Sequence, residues 1–127
     1  MAGLTFDTGV LVALERRRDR ARRLFLAARI DEKRITVPAA VVAEWWRGQR
    51  GPAAQLLDGL DVEALDEDLA RSAGEALAAL RRGSKPSVVD AIVMASAARR
   101  GDVVYTSDRD DLVRFSAHFP SVRILTV

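Results

Sequence analysis

Four acidic side chains stand where an ionised carboxylate is costly unless something neutralises it. Asp7 ends the apolar run Leu4-Thr5-Phe6, and Glu44 lies among Val41, Val42, Trp45 and Trp46. Asp90 sits within Val88-Val89-Asp90-Ala91-Ile92, and Asp108 closes Val103-Val104-Tyr105-Thr106-Ser107. Two carboxylates about 4 Å apart repel by roughly 4 kcal/mol at an effective dielectric near 20, so four converging acids would take up protons or bind metal. Mg²⁺ prefers an octahedral shell of oxygens and keeps several waters, which suits a ring of Asp and Glu. Water on such an ion, held by a neighbouring carboxylate, can attack a phosphodiester in line while the cation stabilises the departing oxygen. The expected products then carry a 5′-phosphate and a 3′-hydroxyl.

Composition removes the competing chemistries. The chain has no Cys, which excludes disulfides, thiolate zinc sites and a cysteine nucleophile. Its single histidine, His118, cannot form a catalytic histidine pair or a multi-histidine zinc site. Net charge is a modest +2, carried almost entirely by arginine, with Lys33 and Lys85 as the exceptions. Arginine forks suit phosphate, although solvated helix faces account for them equally well.

These acids must be positioned by one core, because 127 residues suffice for a single domain and not for two. The balance of 49% hydrophobic and 30% charged residues is globular. No apolar run approaches the roughly 20 residues of a membrane helix, so no membrane segment and a cytoplasmic location are expected. There is no internal repeat and no linker.

The patterning alternates strands and helices. A strand at 4–6 precedes helices at 8–14 and 19–29, spaced through Val10, Leu14, Leu24 and Ala28. A second strand at 35–37 is followed by Pro38, expected in the first turn of a helix carrying Glu44. Gly48 and Gly51 break that helix, a short helix covers 52–57, and Val62 with Leu65 marks a third strand. Asp66 is expected to cap a helix at 67–82 closed by Gly83, and Ser87 to cap another that ends before Gly101. A strand at 103–105, a helix at 109–115 and a strand at 122–125 complete the chain. Such alternation implies an α/β fold with a parallel sheet covered on both faces. Functional groups of open parallel sheets gather outside the carboxyl ends of the strands, where Asp7 and Asp108 fall.

With 18 acidic residues, some will stand in apolar company by chance. Their order and flanks add specificity. Leu4-Thr5-Phe6-Asp7-Thr8-Gly9-Val10-Leu11, Val42-Ala43-Glu44, Val89-Asp90-Ala91-Ile92-Val93 and Val104-Tyr105-Thr106-Ser107-Asp108 resemble the ordered acidic motifs of the PIN-domain family, over nearly the whole chain. The similarity is strongest to the VapC-type toxins of prokaryotic toxin–antitoxin modules. The resemblance implies a three-layer α/β/α fold around a mainly parallel sheet of four to five strands. It further implies an endoribonuclease using Mg²⁺ or Mn²⁺ held by Asp7, Glu44, Asp90 and Asp108. Thr8 and Thr106 would help to hold the cluster, and Asp111 would assist a second ion. A homodimer is implied, as is a VapB-like antitoxin whose C-terminal segment covers the acids with an Arg or Lys. Such a cation would compete with metal for the same carboxylates.

Each residue also has a plainer explanation. Asp7 could cap a helix, Asp90 could complete a capping box with Ser87, and Asp108 with Asp110 and Asp111 could form an ordinary turn. Glu44 could be solvated, but its tryptophan neighbours suggest a partly enclosed setting; Trp45 reads as core and Trp46 as an exposed edge of it. Arg16, Arg20 and Arg23 are expected on one helix face, either tracking RNA or simply solvated, and His118 is expected to be structural. Dehalogenase-type phosphatases and response-regulator receivers also place aspartates at strand ends. The former want a second Asp where this chain has Gly9, and the latter an early acidic pair and a late lysine that are missing. The alternative from a different functional class is a catalytically inactive domain of the same fold that binds RNA or protein.

Overall fold

The computed structural model describes residues 2–80, 83, 85 and 87–127. Five parallel strands form one sheet in the order β3-β2-β1-β4-β5: β1 is Leu4–Phe6, β2 Ile35–Pro38, β3 Asp61–Glu63, β4 Val103–Thr106 and β5 Arg123–Thr126. Helices α1 (Thr8–Glu15) and α2 (Asp19–Ile30) link β1 to β2, and α3 (Ala39–Trp45) and α4 (Pro52–Gln55) lead towards β3. Helices α5 (Glu67–Ala78) and α6 (Val88–Arg100) precede β4, and α7 (Arg109–Val113) precedes β5. The result is the expected three-layer α/β/α arrangement.

The centre of the sheet is dry because its strands lack the polar alternation of a one-sided sheet. All three residues of β1 and all four of β2 are buried. Helix α6 lies across β1, β2 and β4 and packs on α5 and α7, while α1 packs on β1 and β4. An unbroken buried run from Ala91 to Ala97 lets α6 lie deep in the core, and small residues within it permit the close approach. Its ends follow the expected signals: Ser87 accepts the Asp90 N–H at 3.2 Å, and Gly101 takes the left-handed conformation that stops it.

A partly buried polar network fastens the last turn of α6 to β1, β3 and the turn before β4. Arg100 donates to Asp102 at 2.9 Å, to the Thr5 hydroxyl at 2.7 Å and to Ser96 at 2.9 Å, and also pairs with Glu63. Thr5 donates to Asp102 at 2.8 Å, and Ser96 to Glu63 at 2.7 Å. Burial alone would raise the Glu63 carboxyl, but the Ser96 and Arg100 hydrogen bonds outweigh it and hold it below its ordinary value.

Several boundaries differ from the sequence expectation. Pro38 is the last residue of β2 and the extended N-cap of α3, not its first turn, because it still pairs with Glu63 of β3. Val62 lies in edge strand β3, whereas Leu65 is outside it and exposed. Helix α5 is capped by Asp66, which accepts the Leu69 N–H at 2.8 Å, but it ends at Ala78. Its last turn tightens: Leu80 N–H bonds back three residues to Leu77, so Gly83 is not its cap. Arg81 and Arg82, expected within that helix, lie outside the described residues. Helix α7 stops at Val113 as Phe115 and Ser116 also bond back three residues, and β5 begins one residue late because a turn takes the Val122 N–H.

Candidate active site

Strand order reverses direction between β1 and β4, since the chain winds outwards through β2 and β3 and then returns to place β4 on the other side of β1. This switch point opens a crevice at the carboxyl ends of the strands. Asp7 follows β1 and Asp108 lies two residues beyond β4, so both expected acids reach it from the central strands. Helix α6 leads into β4 and runs counter to it, which puts its first turn, and hence Asp90, at the same end of the sheet.

Asp7 is buried and held at both oxygens. Oδ1 accepts the Val10 N–H at 3.2 Å, and the Thr106 hydroxyl donates to Oδ2. The capping explanation is therefore true of Asp7, but it accounts for one oxygen only. Desolvation, aided by the Asp90 charge, pushes its carboxyl up to about 6, against the Thr106 and Val10 hydrogen bonds that favour the charged form. The N-terminus of α1 thus does not compensate for burial.

Asp90 is also raised, chiefly by burial, with the Ser87 hydroxyl opposing. Asp111 and Glu44 add repulsion, while the Arg114 guanidinium draws it down. Mutual influence places these groups in one field: Asp7 feels Asp90, and Asp90 feels Asp111 and Glu44. Asp108 joins through the backbone, its N–H donating at 2.9 Å to the same Thr106 hydroxyl that holds Asp7. Thr106 is fully buried and so couples the two motif acids directly.

Glu44 does not have the enclosed setting expected for it. It is exposed on α3, because the helix turns Trp45 into the core and leaves Glu44 and Trp46 towards solvent. Trp45 is 5% exposed and donates its indole N–H to Glu15 at 3.0 Å. Among the described residues, no three carboxylate or imidazole side chains are grouped closely enough to enclose a cation as they stand. Of the four acids Asp7 is buried, Asp90 half-buried, and Glu44 and Asp108 exposed.

The donor set nonetheless fits a hard divalent ion. Every candidate ligand is a carboxylate oxygen, burial raises Asp7 and Asp90 by more than their hydrogen bonds and Arg114 offset, and the buried Thr8 hydroxyl beside Asp7 has no hydrogen-bond partner. Gly9 brings α1 against the loop carrying Asp108: a Cβ there would lie 1.8 Å from Ser107 Oγ and 2.9 Å from Ser107 Cβ. Only a residue without a side chain permits this approach.

Arg16, Arg20 and Arg23 are all exposed, but they do not share a helix. Arg16 caps the C-terminus of α1, and Arg20 and Arg23 belong to α2, which starts afresh at Asp19. Arg16 and Arg20 edge an open cavity of about 480 Å³ that also touches Gly9 and Ser107, next to the crevice. His118 is exposed and packs edge-on against Phe119. Sequence reasoning passed over Arg114, which pairs with Asp111 at 3.1 Å. The signal was present, since Asp111 and Arg114 are three residues apart at the start of a helix following an acidic motif.

A family model described as PIN domain matches residues 4–117. The fold is similar to a DNA-bound VapBC from Salmonella typhimurium (TM-score 0.73, 21% identity, 99% of this chain and 98% of that one). It is similar to VapC20 of Mycobacterium tuberculosis, described as a sarcin-ricin loop cleaving toxin (TM-score 0.69, 27% identity, 95% and 99%). A toxin–antitoxin complex from Klebsiella pneumoniae is also similar (TM-score 0.68, 20% identity, 98% and 97%). No curated protein matches the chain by sequence.

Proposed function

The chain belongs to the PIN-domain family, and on that premise we propose that it is a metal-dependent endoribonuclease, the toxin of a VapBC-type toxin–antitoxin pair. The observation that carries this reading is the coupled pair Asp7 and Asp90, both deprived of water and both raised, at the switch point of a parallel sheet. Structural acids normally sit beside a cation that lowers them; here the Asp90 charge raises Asp7, and Arg114 does not offset the burial of Asp90.

Asp7 and Asp90 would hold Mg²⁺ or Mn²⁺, with Glu44 and Asp108 completing the set from the margin and Thr8 and Thr106 supporting it. When bound, such an ion neutralises the acids, lowers the pKa of water and stabilises charge on a phosphodiester. The protein's own contribution is orientation. Thr106 fixes the Asp7 carboxylate and the Asp108 backbone together, so neither moves independently. Val10 locks the other Asp7 oxygen, and Ser87 fixes the turn that carries Asp90. The exposed Glu44 can reach water or substrate entering the crevice.

An antitoxin partner is supported by the likeness to proteins crystallised as VapBC and toxin–antitoxin complexes. Its inhibitory cation would meet the same desolvated acids that attract metal. A homodimer and action on cytoplasmic RNA belong to the same reading, and no described helix is long and apolar enough to cross a membrane.

Incubation of single-stranded and structured RNA with the protein and Mg²⁺ or Mn²⁺ tests this. Cleavage should leave 5′-phosphate ends and stop with EDTA. Asp7→Asn and Asp90→Asn should each lower it at least about 100-fold, about 2.7 kcal/mol of barrier, with an unchanged circular dichroism spectrum. Cleavage surviving both substitutions, or persisting in EDTA, would favour the inactive RNA- or protein-binding alternative with a contaminating nuclease.

A further inference from the structure

Arg114 is engaged at all three of its guanidinium nitrogens. Nε donates at 2.8 Å to the Asp111 carbonyl, Nη2 at 3.1 Å to Asp111 Oδ1, and Nη1 to the Lys85 carbonyl. An ordinary i,i+3 surface pair leaves the arginine solvated and is worth a few tenths of a kcal/mol. Here the Arg114 side chain is only 25% exposed, and its reach to Lys85 ties the end of α7 to the chain entering α6. One fixed positive charge is thereby held, paired with Asp111, where it acts on Asp90.

From this geometry we propose that Arg114 takes the place of a second metal ion: the centre binds one divalent cation, and Asp111 anchors Arg114 instead of acting as a ligand. The inference rests on the metal-dependent reading above and gives its ion count. Asp111 Oδ1 already accepts from a guanidinium, and a cation approaching either oxygen of that carboxylate would meet the repulsion of the Arg114 charge fixed beside it. The pair is neutral as a unit, so the charge left for a metal to balance is that of Asp7, Asp90, Glu44 and Asp108. Arg114 is in this account a positioning and charge-balancing residue, joining Asp108 and Asp90 through α7 and the Lys85 segment.

Mn²⁺ binding to metal-free protein, followed by calorimetry and by electron paramagnetic resonance of the free ion, reads the stoichiometry without any turnover. The wild type should take up one ion. Asp111→Asn should still take up one, about tenfold more weakly, because the Arg114 charge is then unbalanced. Arg114→Gln, which removes the charge and frees Asp111, should either bind a second Mn²⁺ or bind the first at least tenfold more tightly; Arg114→Lys, keeping the charge, should stay near the wild type. A merely structural arginine would alter melting temperature in both Arg114 variants while leaving Mn²⁺ binding alone, and that result would overturn the inference. Two ions on the wild type, with one lost in Asp111→Asn, would overturn it while leaving the metal reading intact. Failure of the wild type to bind Mn²⁺ at all would defeat both.

Discussion

At the scale of single residues, Thr106 is the side chain on which the candidate site turns. Its hydroxyl donates to Asp7 and accepts from the Asp108 N–H, so one oxygen sets the geometry of two motif acids. Thr106→Val keeps the shape and removes both bonds. Asp7 then loses a donor that favours its ionised form, and its carboxyl should rise further. The acid limb of the pH profile for kcat/KM should therefore move to higher pH, with activity at pH 7 down about 10- to 100-fold. An unmoved limb would show that the Thr106 hydroxyl does not set the ionisation of Asp7. Glu44 teaches the opposite lesson: two tryptophans beside it in sequence did not enclose it, because a helix sends adjacent residues in different directions.

At the scale of elements, the site depends on how closely α1 approaches the β4–α7 loop. Gly9 and Ser107 are in contact, and a methyl group at Gly9 would overlap Ser107. Gly9→Ala gains helix propensity but must push away the loop that carries Asp108. Overpacking of this kind costs about 1–3 kcal/mol. The expected outcome is a small fall in melting temperature and a larger loss of cleavage, at least tenfold, since about 1 Å of displacement is costly at a reacting centre. Parallel measurement of both quantities checks it: loss of stability without loss of activity would show that the loop tolerates the shift. At the other end of the sheet, the network around Arg100 anchors α6, which fixes where its first turn, and so Asp90, comes to rest.

At the scale of the whole molecule, burying uncompensated acids should leave a signature in stability against pH. Asp7 is raised from 3.8 to about 6, so the folded state binds more protons than the unfolded state between those values. Stability from this group is fully present below pH 3.8 and is lost as pH rises through about 6, a loss of about 3 kcal/mol. Asp90 is shifted in the same direction. Glu63 is shifted the other way, contributing stability above its ordinary value that disappears as pH falls through its lowered one. Metal-free protein should thus melt at a lower temperature at pH 7 than at pH 5, and Mn²⁺ should restore the difference at pH 7. Asp7→Asn should flatten the pH dependence and raise the metal-free melting temperature at pH 7. A metal-free protein equally stable at both values, with no response to Asp7→Asn, would mean that Asp7 is not desolvated as described.

Much of this protein can be read locally. Apolar runs of three or four residues separated by helical periodicity specify an alternating α/β chain, because burial on both faces of a parallel sheet leaves no polar alternation to write. Ser87, Asp66 and Gly101 announce helix ends, since capping uses only neighbouring backbone groups. The order of the acids within their flanks identified the family, a property carried by the chain itself. Strand order, by contrast, arises from the path of the crossovers, and it is that order which sets Asp7 beside Asp108 and brings Asp90 to them. Exposure of Glu44, the orphaned Thr8 hydroxyl, the contact of Gly9 with Ser107 and the clasp of Arg114 on Lys85 likewise depend on segments remote in sequence. Sequence spacing determines which way a side chain leaves its own helix or strand; only tertiary packing determines what it meets, because desolvation and charge repulsion depend on neighbours that the chain brings close by folding.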